Sequence, residues 1–207
     1  MIGYFKVSVL LTYMNVVSAV IGMYFALNGQ FHFAMACLIL AGVCDMFDGK
    51  VARRRERTEH EKGYGIELDA IADIVSFGVF PAIIGYGLGL CQFYHMFLHA
   101  LFILAALTRL AYFNVTEIEH QAAGNVAPRK YYEGLPVTSV AIYLPFFYVL
   151  MRLLKLDAYL PVAYGILLAI TAVAFVSRVK VPKIRGKALI FFALISIPMV
   201  VCLFVIG

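Results

Sequence analysis

The sequence predicts an all-α, multi-pass integral membrane helical bundle of about seven spanning helices. Three observations lead there. Of 207 residues, 63% are hydrophobic and only 14% are charged, where soluble domains carry about a quarter; mean hydropathy is +0.90. Seven stretches reach the ~20 predominantly apolar residues needed to cross a bilayer. Lys and Arg gather in alternate connections, as cytoplasmic loops do. No polar stretch is long enough to form a separate soluble domain, so residues 1–207 read as a single membrane domain.

The first stretch, residues 7–27, has neither a basic leader nor an obvious small-residue cleavage site, which favours a retained helix over a signal peptide. The second, 31–53, ends in the polar run Asp45-Met46-Phe47-Asp48-Gly49-Lys50-Val51-Ala52-Arg53. The third, 66–88, opens on Glu67, Asp69 and Asp73 and contains Pro81, which is expected to kink it. The remaining stretches are 93–115, 135–154, 159–179 and 188–206. Asn28-Gly29-Gln30 and Gly87-Leu88-Gly89 are short turns, which makes their flanking helices antiparallel neighbours. There is no low-complexity segment and no internal repeat of the duplicated-transporter kind.

One side of the bundle collects Lys6, Arg53 to Arg57 with Lys62, the pair Arg129 and Lys130, and the basic loop of Arg178, Lys180, Lys183, Arg185 and Lys187. The other holds only Arg152 and Lys155. The N-terminus is therefore expected in the cytoplasm and the C-terminus outside. The net charge of +5 reports this orientation and anionic lipid contact; a nucleic-acid partner is not expected. The basic loop itself could also hold lipid headgroups or a substrate phosphate. Cys37, Cys44, Cys91 and Cys202 are scattered without metal-binding spacing and read as small apolar residues. His95 and His99 have an i, i+4 spacing that can bind zinc, but no third ligand accompanies them.

The acids are the anomaly. Asp45 and Asp48 are three residues apart, Asp69 and Asp73 four, so each pair lies on one face of its helix. The two helices are consecutive and antiparallel, and the faces can converge at the cytoplasmic boundary. A charge near the middle of a spanning helix costs roughly 2.5–3.5 kcal/mol, less toward its ends. Four carboxylates need compensation, by protonation or by divalent cations held on hard oxygen ligands. Lys50 and Arg53 are too few to neutralise four acids. Gly49 and Ala52 beside Asp48, and Gly65 one turn before Asp69, leave room for a bulky ligand. An anionic ligand bridged by metal, with Arg53 nearby, suggests a phosphate or pyrophosphate.

The pattern D-x2-D-G-x2-A-R followed by G-x3-D-x3-D resembles the signature of the CDP-alcohol phosphotransferase family. Asp45, Asp48, Gly49, Ala52, Arg53, Gly65, Asp69 and Asp73 fill its fixed positions. Eleven residues separate Arg53 from Gly65, three more than the common spacing, and they fall in the polar loop. The family core is described as six helices, so one of the seven would be additional. The resemblance implies a single membrane domain that transfers a phosphatidyl group from a CDP-linked lipid to an alcohol and releases CMP. It implies that Asp45, Asp48, Asp69 and Asp73 bind divalent metal, two Mg²⁺ or Mn²⁺ ions. It implies that Gly49, Ala52, Arg53 and Gly65 hold the CDP-lipid, and that Asp73 is the general base. A homodimer in the cell membrane, with the active site toward the cytoplasm, is expected by the same analogy.

The acceptor is read from Arg109-Leu110-Ala111-Tyr112-Phe113-Asn114, expected to close the fourth helix, and from Tyr131-Tyr132-Glu133-Gly134-Leu135-Pro136. This pair of motifs is similar to the phosphatidylserine synthase branch. L-Serine carries both charges, and Arg109, Asn114, Arg129, Lys130 and Glu133 offer partners for both. Arg129 and Lys130 read equally as a solvated loop, and Arg109 as a snorkelling helix-end charge. Glycerol phosphate or inositol phosphate are alternative acceptors. A divalent-cation channel or transporter is the rival from another class, although Asp157 alone marks the external side.

Overall fold

The computed structural model describes residues 7–53, 58–122, 131–178, 180–182 and 188–206. α1 (Val7–Leu27) and α2 (Phe31–Arg53) form an antiparallel pair. α3 (Glu59–Asp73), a π-helical turn (Ile74–Val79) and α4 (Phe80–Gly87) make one continuous rod. α5 (Phe93–Ala122) follows, then β1 (Tyr131–Glu133) and a 3₁₀ turn (Val137–Ser139) leading into α6 (Val140–Leu153). A second 3₁₀ turn (Asp157–Tyr159) opens α7 (Leu160–Val176), and β2 (Lys180–Pro182) precedes α8 (Ala188–Ile206). Seven helical rods result, as expected. Five are long and apolar enough to cross a membrane; the stretches Val137–Leu153 and Ser196–Val205 are shorter apolar helices.

The turns are built as their residues dictate. Gly29 takes a φ of +73°, and the amide of Gln30 closes back on the Phe25 carbonyl at 2.9 Å, which satisfies a carbonyl that the end of α1 leaves open. The turn after α4 repeats this device, with Gly89 at +115° and Leu90 N–H bonded to Gly85 O at 3.0 Å. At the end of α6, Lys155 occupies the left-handed position instead, and Arg152 pairs with Asp157 across the turn at 2.9 Å.

Several expectations are corrected. The third rod starts at Glu59 and not at Ile66, because Thr58 and Glu61 form a reciprocal capping box that satisfies two free amides. Pro81, expected to kink this stretch, lies in α4, where the rod runs on without a gap from α3. The wide π-helical turn just before it rearranges the local backbone bonding, a common way for a helix to absorb an extra residue. α5 runs on to Ala122, so Asn114 lies inside the helix and does not end it. β1 and β2 form an antiparallel ribbon, pairing Glu133 with Lys180 and Tyr131 with Pro182; no periodicity of 2 announced these three-residue strands.

The rod carrying Asp69 and Asp73 is central and more deeply buried than α5. α1 lies close against it and against α2. At Gly22 an added Cβ would overlap the Phe80 ring and come within 2.8 Å of Cys37 Cβ. Buried Ala19, Ala26, Ala34 and Ala41 continue the small-residue contact through which membrane helices approach each other. The core is filled by Phe77, Phe80, Phe102, Tyr164 and Phe175. Outward faces are apolar: Val162, Ile166, Ile170 and Val173 on α7 are all exposed, one continuous stripe that water would not tolerate and lipid would.

Candidate active site

The site grows where the acids of α2 meet those of α3. Asp45 and Asp48 sit on the last turns of α2, Asp69 and Asp73 on the last turns of α3. Asp45, Asp48 and Asp69 each present a carboxylate oxygen, and these oxygens lie within 4.8 Å of one another. Asp73 adjoins the cluster, with Asp45, Asp69 and Asp48 as its electrostatic neighbours. Asp48 and Asp73 are 5% and 6% exposed. The π-helical turn begins at Ile74, the residue after Asp73.

The cluster fits a divalent cation. A hard cation with oxygen ligands at ~2.0–2.6 Å holds them ~3–5 Å apart, the spacing seen here. The Oδ1 atoms of Asp69 and Asp73 are buried without a hydrogen-bond partner in the protein, whereas buried polar atoms are ordinarily paired. Gathered carboxylates repel one another, and metal coordination is the usual resolution of both problems.

Of the residues expected to hold the CDP-lipid, Gly49, Ala52 and Arg53 lie within α2, one to two turns past Asp45; their side chains lie outside the described residues. Gly65 is half-buried in α3, one turn before Asp69. The acids and small residues thus lie on the same two helices.

The expected acceptor residues are dispersed. Arg109 is not a snorkelling charge: it is 6% exposed, donates from Nε to Leu135 O at 3.3 Å and stacks over Phe113. It lines a cavity of about 200 Å³ with Thr108, Tyr112, Phe175, Val176, Ser177 and Arg178. Gly134 explains the local shape. Its φ is +78°, and a Cβ there would come within 2.8 Å of Phe175 O. The chain after β1 is therefore pressed onto the end of α7, where Leu135 N–H also bonds to Ala174 O. The turn Val137–Ser139 then packs against α2, α5 and the π-helical turn, which links this region to the acids. Asn114 is half-buried on α5. Arg129 and Lys130 lie outside the described residues. Glu133 is placed by its backbone in β1; its side chain is not described.

Three further residues complete the surroundings, and the sequence reading passed over them. Thr12 of α1 donates to Asp48 Oδ2 at 3.0 Å, fixing that carboxylate from behind. Asn15, one turn on, and Ser76, in the π-helical turn, are wholly buried with their side-chain polar atoms unpartnered. The signal was available: Thr12, Asn15 and Ser18 recur every three residues in an otherwise apolar span, a polar stripe on one helix face.

Comparison with known proteins adds a lineage. Residues 5–176 match the family model for CDP-alcohol phosphatidyltransferase. The chain is similar to the CDP-diacylglycerol--serine O-phosphatidyltransferase of Saccharomyces cerevisiae, 39% identical over 137 residues, 64% of this chain and 49% of that protein. It is similar to the archaetidylserine synthase of Methanothermobacter thermautotrophicus, 26% identical over 86% of this chain and 70% of that one. A CDP-diacylglycerol--serine O-phosphatidyltransferase of Methanocaldococcus jannaschii is 27% identical over 98% of this chain and 86% of its own. The chain thus spans about half the length of the yeast relative and most of the archaeal ones.

Proposed function

The chain belongs to the CDP-alcohol phosphatidyltransferase family, and from that membership we propose a metal-dependent membrane enzyme that transfers the phosphatidyl group of a CDP-diacylglycerol-type lipid to L-serine. The products are phosphatidylserine and CMP. The observation that carries this reading is the acid cluster itself: Asp45, Asp48 and Asp69 gathered from two helices, with Asp73 beside them, and buried oxygens on Asp69 and Asp73 that no protein group satisfies. The serine acceptor is supported by the relatives, whose names share serine and differ in the lipid.

Asp45, Asp48, Asp69 and Asp73 would hold Mg²⁺ or Mn²⁺, two ions by family analogy. Bound metal would neutralise the pyrophosphate and stabilise charge on the departing CMP. Gly49, Ala52, Arg53 and Gly65 would seat the nucleotide end of the donor, while its tails stay in lipid beside the exposed apolar faces. Asp73, the deepest acid of its rod, would take the proton from the serine hydroxyl. The hydroxyl oxygen attacks the lipid-bearing phosphorus, the bond from that phosphorus to the bridging oxygen breaks, and CMP leaves with that oxygen. Arg109, Asn114, Arg129, Lys130 and Glu133 are proposed to serve the acceptor from the same end of the bundle; Arg109 is supported by its burial beside a cavity. The Lys and Arg distribution supports placing this end at the cytoplasmic face of the cell membrane. Homodimerisation rests on the family resemblance.

The general-base role is tested by Asp73→Asn. Serine-dependent CMP release should fall ~10²-fold or more while the variant still elutes as folded protein. Activity near the wild-type level in that variant would remove Asp73 from the role.

A further inference from the structure

Asn15 is wholly buried in the bundle, and neither Oδ1 nor Nδ2 has a partner. Its neighbours on the same face of α1 show that the pairing failure is local. Thr12, three residues before it, reaches Asp48 Oδ2 at 3.0 Å. Ser18, three residues after it, reaches the Cys37 carbonyl at 2.9 Å. Both ends of the stripe are therefore satisfied by α2, and the middle is not. Ser76 is unusual in a second way. Hydroxyls inside helices commonly bond back to the carbonyl four residues earlier, as Thr108 does to Leu104 and Thr171 to Leu167, both at 2.8 Å. Ser76 is also wholly buried, yet its Oγ has no partner.

The two residues share a level. α1 and α3 both run inward from the acid-bearing end, and α1 packs against the π-helical turn that carries Ser76. Asn15 lies three residues beyond Thr12, which marks the depth of Asp48. Ser76 lies three residues beyond Asp73. Three residues of helix rise ~4.5 Å, so by helix rise both sit about one turn deeper in the bundle than Asp48 and Asp73, and Asp73 Oδ1 is likewise buried without a partner.

We propose that Asn15 and Ser76 form the subsite for the zwitterionic head of the acceptor, an α-amino acid whose side-chain hydroxyl is turned toward Asp73. This rests on the phosphatidyl-transfer reading above and adds to it the group that selects the acceptor. An amide offers one strong acceptor and two donors, and a serine hydroxyl offers both roles. An ammonium and a carboxylate on one carbon satisfy that set together. The one-turn offset from Asp73 matches the short spacer between the hydroxyl of a three-carbon amino acid and its charged head. Asn15 and Ser76 are specificity-determining residues in this reading, and Asp73 alone handles the proton.

The test uses the full chain reconstituted with CDP-diacylglycerol and Mn²⁺, measuring CMP release against L-serine concentration for wild type, Asn15→Ala and Ser76→Ala. Loss of a hydrogen bond to a charged group should raise the KM for serine about tenfold or more in each variant. Binding of CDP-diacylglycerol, measured separately without serine, should stay within twofold of wild type. The wild-type preference for serine over ethanolamine, which lacks the carboxylate, should narrow in Asn15→Ala. An unchanged serine KM, or equal losses in donor binding and serine use, would overturn the subsite and leave a structural polar pair. Should Asn15→Ala fail to fold, Ser76→Ala, which removes a single oxygen, decides alone. If wild type releases no CMP with serine, the transfer reading itself fails, which is a distinct outcome.

Discussion

Asp48 is held from a third helix: Thr12 of α1 donates to its Oδ2 at 3.0 Å. The spacing of Asp45, Asp48, Asp69 and Asp73 alone placed two carboxylates on each of two helix faces, and the structure gathers three of those carboxylates within 4.8 Å. What spacing could not show was support from a third helix. Thr12 belongs to α1, 36 residues from its partner Asp48, and a lone threonine in an apolar span is ordinarily a packing residue. Its bond holds one carboxylate in a single orientation, and outer-shell partners of this kind are worth about 10–100-fold in metal affinity. Thr12→Val keeps the shape and deletes the donor. The metal concentration giving half-maximal CMP release should therefore rise about tenfold or more, with the protein otherwise intact. An unchanged metal requirement would reduce the Thr12–Asp48 bond to packing.

At the level of elements, seven rods were legible from apolar length, and the cases that departed did so for local backbone reasons. The capping box at Thr58 and Glu61 lies in a polar loop, so a hydropathy reading started the third rod two turns late. Pro81 was expected to kink the third rod; a π-helical turn over Ile74–Val79 precedes it, and that turn packs against α1 and α5, contacts that hydropathy does not register. The Gly134 motif was read as an acceptor signature; the structure gives it a backbone reason as well. With φ at +78° and Phe175 O 2.8 Å from an added Cβ, Gly134→Ala is strained on two counts. It should cost about 1–3 kcal/mol, read as a lowered thermal midpoint in detergent, and should weaken serine use by displacing Leu135, the acceptor of the Arg109 bond. A midpoint equal to wild type would show that the connection rearranges freely.

For the whole molecule, the lipid-facing stripes and the alternation of Lys and Arg describe one object, a bundle with its acids at one end. The orientation has a built-in reporter. Cys91 is exposed in the turn between α4 and α5, at the end opposite the acids, whereas Cys44 is buried and Cys37 and Cys202 are half-buried. A membrane-impermeant maleimide applied to intact cells should label the protein, and Cys91→Ser should remove most of that label. Labelling that appears only after permeabilisation would invert the bundle and put the active site outside. Charge counting made this prediction possible because loops report sides directly. Asn15 and Ser76 were not legible in the same way: they come from two separate rods, and their shared lack of a hydrogen-bond partner shows only in the packed bundle.

The central claim is metal-dependent transfer to serine. Purified protein in lipid, given CDP-diacylglycerol and Mg²⁺ or Mn²⁺, should be offered L-serine, glycerol phosphate and inositol phosphate separately while CMP is followed. The account predicts metal-dependent CMP release with serine, abolished by a chelator and near background with the two phosphorylated acceptors. Release with either phosphorylated acceptor and none with serine would contradict it.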